Sequence, residues 1–274
     1  IHDMAFRVCP ETVRKKTRLF LRLCIKKSIK RADRIITVSE FSKQEILRFY
    51  QIAEEKIIVI PNGVDFTRFH SNFKKDRIEK VKQNYKIAGK EYFLFLGNLE
   101  PRKNLVRLIQ AYKIFLQQYC KNQNNIPLLV IAGGKGWMYQ EIFKEVKRSN
   151  LEERVIFIGY VSDREIAALM AGAQIFCFPS LYEGFGMPVL EAMACGTPVL
   201  VSDIPALKEI VGDAGKRVNA LSVIEIAKGM RELYFSKELQ SIFYERGKER
   251  VSYFSWETAS KKLYQVYQEL KESR

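Results

Sequence analysis

Two glutamates, Glu183 and Glu191, enclose the run Gly184-Phe185-Gly186-Met187-Pro188-Val189-Leu190. Pro188 stands where the first residue of a helix would, and Gly196 where that helix would stop, so residues 188–195 read as two helical turns. Amides at such a helix start attract an anion, and the two glycines let it come close to the backbone. A carboxylate beside a phosphate seat cannot hold phosphate, but it accepts hydrogen bonds from a sugar diol. The stretch therefore predicts a site for a sugar and a phosphate together. For either glutamate alone a plainer reading stays open: Glu191 complementing the helix dipole, and Glu183 a solvated loop residue.

A second group lies in Gly97-Asn98-Leu99-Glu100-Pro101-Arg102-Lys103-Asn104. Arg102 offers a planar fork of donors and Lys103 a compact charge, both just ahead of another predicted helix. Breaking a sugar–diphosphate bond builds negative charge on the leaving oxygen, which fixed cations and helix amides stabilise without a metal. By itself an Arg-Lys pair equally fits a solvated surface. Gly133-Gly134-Lys135-Gly136 lacks the spacing of a P-loop and reads as a tight turn in the wall of the crevice.

Residues 183–199 closely resemble the signature of retaining GT-B glycosyltransferases of family 4. Members commonly read Glu-Gly-Phe-Gly-Leu-Pro-Val-Leu-Glu-Ala-Met-Ala-Cys-Gly-Thr-Pro-Val, from which this chain departs only at Met187. The resemblance implies that Arg102 and Lys103 clamp the donor diphosphate, that Glu191 binds the ribose, and that Glu183 lies near the transferred sugar. It also implies backbone contacts from Gly184, Phe185, Gly186, Met187 and Pro188. Gly97 and Asn98 belong to the donor-binding set, and Tyr160 and Val161 would lie beside the base. His2-Asp3 matches a pair on the cleft-facing edge of the first domain, where the histidine touches the donor sugar; otherwise a terminal His is simply frayed. Ser39 to Ser42 matches a first-domain loop facing the cleft.

The elements that must position these groups alternate. Short apolar runs at 92–96, 127–132, 155–158, 175–178 and 198–202 read as buried parallel strands. Between them stand helical patterns: one capped by Asn104, one from about Tyr139, and one behind a capping box of Ser162 and Glu165. The prediction is α/β, a Rossmann-like doubly wound parallel sheet whose strand ends open on one crevice. Ahead of it, strands at 34–38 and 56–60 flank a helix that a Ser42/Glu45 capping box would start and that runs to about Tyr50. Pro61-Asn62-Gly63 is a turn and a hinge. Beyond Ile224 the chain is helical, and Trp256, Ala259, Leu263, Val266, Tyr267 and Leu270 share one face of the last helix.

By resemblance, residues 1–60 are a remnant of an N-terminal acceptor-side domain, 61–255 the donor-binding domain, and 256–274 a helix crossing back. About 100 further residues usually precede His2 in that family, and the chain begins with Ile1. The alternative to an enzyme is a truncated non-catalytic nucleotide-sugar binding or scaffold protein. The wording of His2-Asp3, residues 97–105 and residues 133–137 looks most like bacterial mannosyltransferases of surface polysaccharide assembly. A mannosyl donor, GDP-mannose, and a glycan or lipid-linked acceptor are therefore expected. No cofactor is expected beyond the nucleotide sugar itself.

The 274 residues carry a formal net charge of +15. The first fifty hold thirteen Lys and Arg against five Asp and Glu, more than half of that excess. Residues 12–32 read as a helix with Val13, Phe20, Leu21, Cys24, Ile25 and Ile29 near one side. Arg14, Arg18, Arg22, Lys26 and Lys30 form a basic band on the other. An ordinary solvated face and an anionic membrane surface both fit this band, whereas nucleic acid fits poorly for want of interleaved aromatics. The five cysteines show neither metal-ligand nor disulfide spacing. With no apolar run near the ~18 residues of a membrane span, the reading is a cytoplasmic protein, peripheral on the inner membrane face if the basic band binds lipid.

Overall fold

Runs such as Tyr-Phe-Leu-Phe-Leu and Ile-Phe-Cys-Phe have no polar face, so they are stable only as strands covered on both sides. The computed structural model, which describes residues 1–120 and 125–272, places them at the centre of a six-stranded sheet. In chain order the strands are β1 (Ile35–Thr37), β2 (Ile57–Val59), β3 (Tyr92–Leu96), β4 (Leu128–Ala132), β5 (Val155–Gly159), β6 (Ile175–Phe178), β7 (Val199–Ser202) and β8 (Lys216–Val218). β1 and β2 pair in parallel as a separate small sheet, in register Ile35 with Ile57. The large sheet runs β5-β4-β3-β6-β7-β8, parallel throughout.

That order has a consequence for function. Starting from β3 the chain winds outward one way to β5, then returns to lay β6 on the other side of β3. The loops after β3 and β6 therefore part from each other at the carboxyl edge, which is where doubly wound sheets bind ligands. Helices Leu105–Tyr119 and Val223–Phe235 pack together on the sheet, and Leu105, Leu108, Ile109, Tyr112 and Phe115 are buried as their spacing predicts.

Several boundaries differ from the sequence reading. The helix at 40–49 starts earlier than expected: Ser39 is its cap, accepting from the Ser42 amide at 3.0 Å, because the Ser42 hydroxyl is used elsewhere. Asn104 precedes the Leu105–Tyr119 helix in a left-handed conformation without capping it, since its side chain bridges two other segments. Glu165 accepts from Asn84, Tyr85 and the Ser162 hydroxyl, so the expected box is a side-chain cluster tying the end of the Lys75–Asn84 helix to the start of the Ile166–Ala171 helix. β8 and the helix Pro205–Val211 are additional to the sequence reading; the helix buries Ala206, Leu207, Ile210 and Val211, and β8 is an edge strand with Lys216 half-buried and Arg217 exposed.

Residues 12–32 are not one helix. Thr12 ends a 3₁₀ turn, and the helix runs Lys15–Arg31. Leu21, Ile25 and Ile29 pack on Met4, Phe6, Ile35, Ile46, Tyr50 and Ile57, but Phe20, expected with them, faces solvent.

The last helix, Trp256–Glu272, lays Ala259, Leu263, Val266 and Leu270 on Ile36 and Ile58 of the small sheet and on Ile60 just after it. Trp256 and Tyr267, placed on the same face from spacing, are exposed, because the small sheet covers only a narrow stripe. Residues 273–274 of that segment lie outside the described residues. Where the chain leaves the small sheet it runs beside its own return, with Val64 donating to the Phe254 carbonyl at 2.9 Å. Among the described residues no helix is long and apolar enough to cross a membrane.

Candidate active site

Arg102, Lys103 and Glu183 meet at the parting of the two loops. Lys103 Nζ donates to Glu183 Oε1 at 2.6 Å, and Arg102 Nη1 donates to Glu183 Oε2 at 2.9 Å. Arg102 also donates to the Tyr182 carbonyl and, through Nη2, to Glu100 at 2.8 Å. Lys103 and Glu183 are buried, at 9% and 7% exposure, so this is a strongly coupled cluster and not a solvated surface pair. Lys103 Nζ lies 4.8 Å from the centre of the Phe178 ring, a further favourable contact for its charge. Burial works against the Arg102 charge, but Glu183, Glu100 and Asp3 outweigh it and hold the guanidinium above its ordinary pKa.

The two loops are tied to each other through the backbone. Leu181 N–H donates to the Arg102 carbonyl at 2.8 Å, and Asn104 Nδ2 donates to the carbonyls of Pro179 at 3.0 Å and Ala220 at 2.7 Å. The left-handed backbone of Asn104, φ 60°, turns its amide inward to do this; Asn is among the residues that tolerate that region.

The loop 183–187 is held from the N-terminal side. The Gly184 carbonyl accepts from Ser39 Oγ at 2.6 Å and Ser42 Oγ at 3.0 Å. A side chain at Gly184 would meet the His2 carbonyl at 2.2 Å, so glycine is required by close approach. The Phe185 ring is buried edge-on against Phe254, and Gly186 at φ 122° leads into the helix Met187–Ala194, with Pro188 at its second position. At that helix start Pro188 carries no N–H and Val189 N–H donates to the Gly186 carbonyl at 2.9 Å, which leaves the Met187 amide as the donor at the helix start. His2 reaches this loop only through its backbone: its carbonyl accepts from Ser42 Oγ at 3.2 Å. Its exposed side chain lines a separate cavity of 370 Å³ with Pro61, Asn62 and Trp256.

Beside the cation cluster opens a cleft of 330 Å³. Gly97, Asn98, Gly133, Gly134, Tyr160, Val161 and Glu191 line it, together with Arg68 and Asp163. A side chain at Gly133 would strike the Gly97 carbonyl at 2.0 Å, and Leu99 N–H donates to the Gly134 carbonyl, so these two loops form one wall. Gly97 joins the cleft to the cluster, its Cβ direction lying 3.6 Å from Lys103 Cε. Tyr160 is exposed at the rim while Val161 is buried. Burial pushes the Glu191 carboxyl up to about 7, with Asp163 adding to the rise and Arg68 opposing it.

Arg68 and Asp163, paired at 2.9 Å, escaped the sequence reading. Just before Arg68, Thr67 N–H donates to the Asp65 side chain at 3.0 Å in a local turn.

The six-stranded sheet, the small sheet bound to the returning last helix, and a charged site at the strand parting define the GT-B class of glycosyltransferases. Solved structures agree: Anabaena HepE in complex with UDP and glucose superposes with TM-score 0.81 over 94% of this chain and 68% of its own, at 23% identity. Sucrose-phosphate synthase of Thermosynechococcus elongatus gives 0.77 over 95% and 63%, at 24% identity. The chain belongs to the family described as glycosyl transferases group 1, which matches residues 76–250, while glycosyltransferase family 4 matches residues 1–68. The O-antigen chain mannosyltransferase B of Escherichia coli is 32% identical over 97% of this chain and 68% of its own length. The O-antigen chain mannosyltransferase RfbU of Salmonella typhimurium is 32% identical over 80% of this chain and 55% of its own. The chain thus spans between about half and two thirds of these relatives.

Proposed function

We propose that this chain is the donor-binding part of a retaining hexosyltransferase that takes mannose from GDP-mannose and passes it to a glycan or lipid-linked acceptor. The observation that carries the reading is the buried Glu183 held by both Arg102 and Lys103 at the strand parting, next to a cleft floored by Glu191. In the structure the Glu183 carboxylate occupies the cation pair. The donor diphosphate exchanges with it, and the freed Glu183 turns its acceptor oxygens to hydroxyls of the sugar. Glu191, as carboxylate, accepts from the ribose diol, and the base lies along Tyr160 and Val161.

The C1–oxygen bond to the diphosphate then breaks, and its electrons remain on the leaving oxygen, where Arg102, Lys103 and the helix start at Met187 stabilise them. The acceptor hydroxyl bonds to C1 on the same face and gives its proton to the departing diphosphate, so configuration is retained. No protein nucleophile and no metal enter this scheme. Mannose and a surface-polysaccharide acceptor rest on the likeness to the O-antigen chain mannosyltransferases, and residues 61–255 form the donor unit.

Calorimetric titration of GDP, UDP, GDP-mannose and UDP-glucose into the chain tests the reading, with Lys103→Ala and Glu191→Ala alongside. The expected result is binding of the guanosine compounds, lost in both variants. Binding of no nucleotide at all would sink the proposal for this chain. Donor binding without transfer, even with the relatives' acceptors, would favour a non-catalytic nucleotide-sugar binding protein.

A further inference from the structure

Arg68 and Asp163 line the donor cleft and also a second groove, of 630 Å³, so this pair stands between the two. The charge of the second groove is one-sided. Arg68, Lys74, Arg77 and Arg164 line it against the single carboxylate of Asp163. Among the described residues only Arg68 of these four is in an ion pair. Arg77 Nη2 donates to the Arg164 carbonyl at 2.9 Å, which fixes the Lys75–Asn84 helix against the 163–164 loop and keeps two cations on one groove. The Glu165 carboxylate, which feels Arg77, is engaged by Asn84, Tyr85 and Ser162. Like charges gathered round a concave surface repel one another and concentrate counter-anions there.

The neutral donors point the same way. Arg68 Nε is buried with no hydrogen-bond partner among the described residues, and a shift of the guanidinium toward an anion would engage it. At the start of the Lys75–Asn84 helix no side chain caps the turn, and the Arg77 and Ile78 amides donate to the Lys74 carbonyl, which leaves those of Lys75 and Asp76. His70 stacks on Phe73 with 4.4 Å between ring centres, and its Nδ1 accepts from Asn72 N–H at 3.2 Å. The ring proton of neutral His70 is then on Nε2, a further donor in the groove wall. Several guanidinium forks converging on one concavity match a multiply charged phosphate better than a single carboxylate, which one fork satisfies.

The shared pair couples this groove to the cleft. Arg68 opposes the rise of the Glu191 pKa and Asp163 adds to it. An anion in the groove competes with Asp163 for Arg68. Withdrawing Arg68 removes a cation that favours the Glu191 carboxylate and leaves Asp163 uncompensated beside the cleft. A ligand held by that carboxylate is then bound more weakly, and by linkage it weakens the anion to the same degree.

We infer that the groove binds a phosphate or diphosphate anion through Arg68, Lys74, Arg77 and Arg164, and that its occupation weakens nucleotide binding in the adjoining cleft by drawing Arg68 from Asp163. The anion site stands without the donor reading; the coupling rests on it.

The test is calorimetric titration of pyrophosphate into the chain at a constant ionic strength of about 0.15 M, so that screening is the same throughout. Lys74→Gln with Arg77→Gln, neither of which lines the donor cleft, should weaken binding by about tenfold per cation. Arg164→Gln should lose about tenfold while keeping its carbonyl for Arg77. Pyrophosphate also fits the Arg102 and Lys103 pair, so Lys103→Ala is titrated alongside and should still bind it in the groove. Unchanged thermal melting of the groove variants shows that their loss is not one of folding. Saturating pyrophosphate should lower the GDP affinity of the parent at least fivefold more than that of the Lys74→Gln, Arg77→Gln protein, where only competition at Lys103 remains. Equal pyrophosphate binding by the parent and both groove variants, or its complete loss in folded Lys103→Ala, overturns the site. Equal lowering of GDP affinity in parent and double variant overturns the coupling. If GDP does not bind the parent at all, the donor reading and the coupling fall together, and the pyrophosphate titrations alone still decide the groove.

Discussion

Glu191→Gln replaces a carboxyl whose titration is held near neutral pH by an uncharged side chain of the same shape. Burial raises the Glu191 pKa from 4.5 to about 7. Between those two values the folded chain holds a proton that the unfolded chain has released, so this group makes stability fall as pH rises. The contribution is flat below 4.5 and flat again above 7. A rise of about 2.5 units corresponds to about 3 kcal/mol at pH 8, and solvent in the open cleft reduces this to about 2. The variant should therefore melt about 4–8 °C above the parent at pH 8 and within about 2 °C of it at pH 5. Urea and thermal unfolding of both proteins at pH 5, 6, 7 and 8 measures this directly. The variant also loses an ionised acceptor, so nucleotide affinity should drop by about 10- to 100-fold even as stability rises. In the parent, affinity should fall as pH drops through about 7, since only the carboxylate accepts both ribose hydroxyls. Parallel stability curves for parent and variant, or nucleotide affinity indifferent to both pH and the substitution, would refute this account of Glu191.

The remaining predictions concern the parts that hold the site. Lys103→Met removes the 2.6 Å bond to Glu183 and leaves Arg102 as its partner; unfolding should cost about 2–3 kcal/mol less and nucleotide binding should vanish. Gly184→Ala drives a methyl group to 2.2 Å from the His2 carbonyl and 2.6 Å from Asp3 Cβ. Residues 1–4 must then move away, lowering stability by about 3 kcal/mol in a denaturant melt. Ser39→Ala with Ser42→Ala strips both hydroxyl donors from the Gly184 carbonyl. A loss of about 1–3 kcal/mol is expected, with weaker donor binding because the 183–187 loop is released.

Much of the architecture was legible because buried parallel strands are apolar throughout. Runs at 92–96 and 175–178 contain no residue that would tolerate water, and they are strands to the residue. β8 was not legible for the same reason: Lys216 and Arg217 border solvent, and nothing in a three-residue run with two cations distinguishes an edge strand from a loop. Phe20 was misplaced because helical spacing reports that a residue is apolar and not which neighbour will cover it. Ser42 fitted a cap by its distance from Glu45, yet Ser39 took that role once the Gly184 carbonyl, 142 residues away in sequence, drew the Ser42 hydroxyl.

The amino-acid sequence by itself determined the apolar strands of the sheet, the helix start after Gly186, and the presence of carboxylates and cations suited to a sugar diphosphate. These follow from local causes: hydrophobic period, glycine and proline placement, and side-chain charge. Only the tertiary structure decided that Glu183 binds Arg102 and Lys103, that Arg68 and Asp163 line the cleft, and that Glu191 titrates near neutrality. Each depends on which groups lie within a few ångströms after folding and on how much water the packing leaves around them. Both quantities belong to the assembled loops at the parting of β3 and β6, and no single segment of the chain contains them.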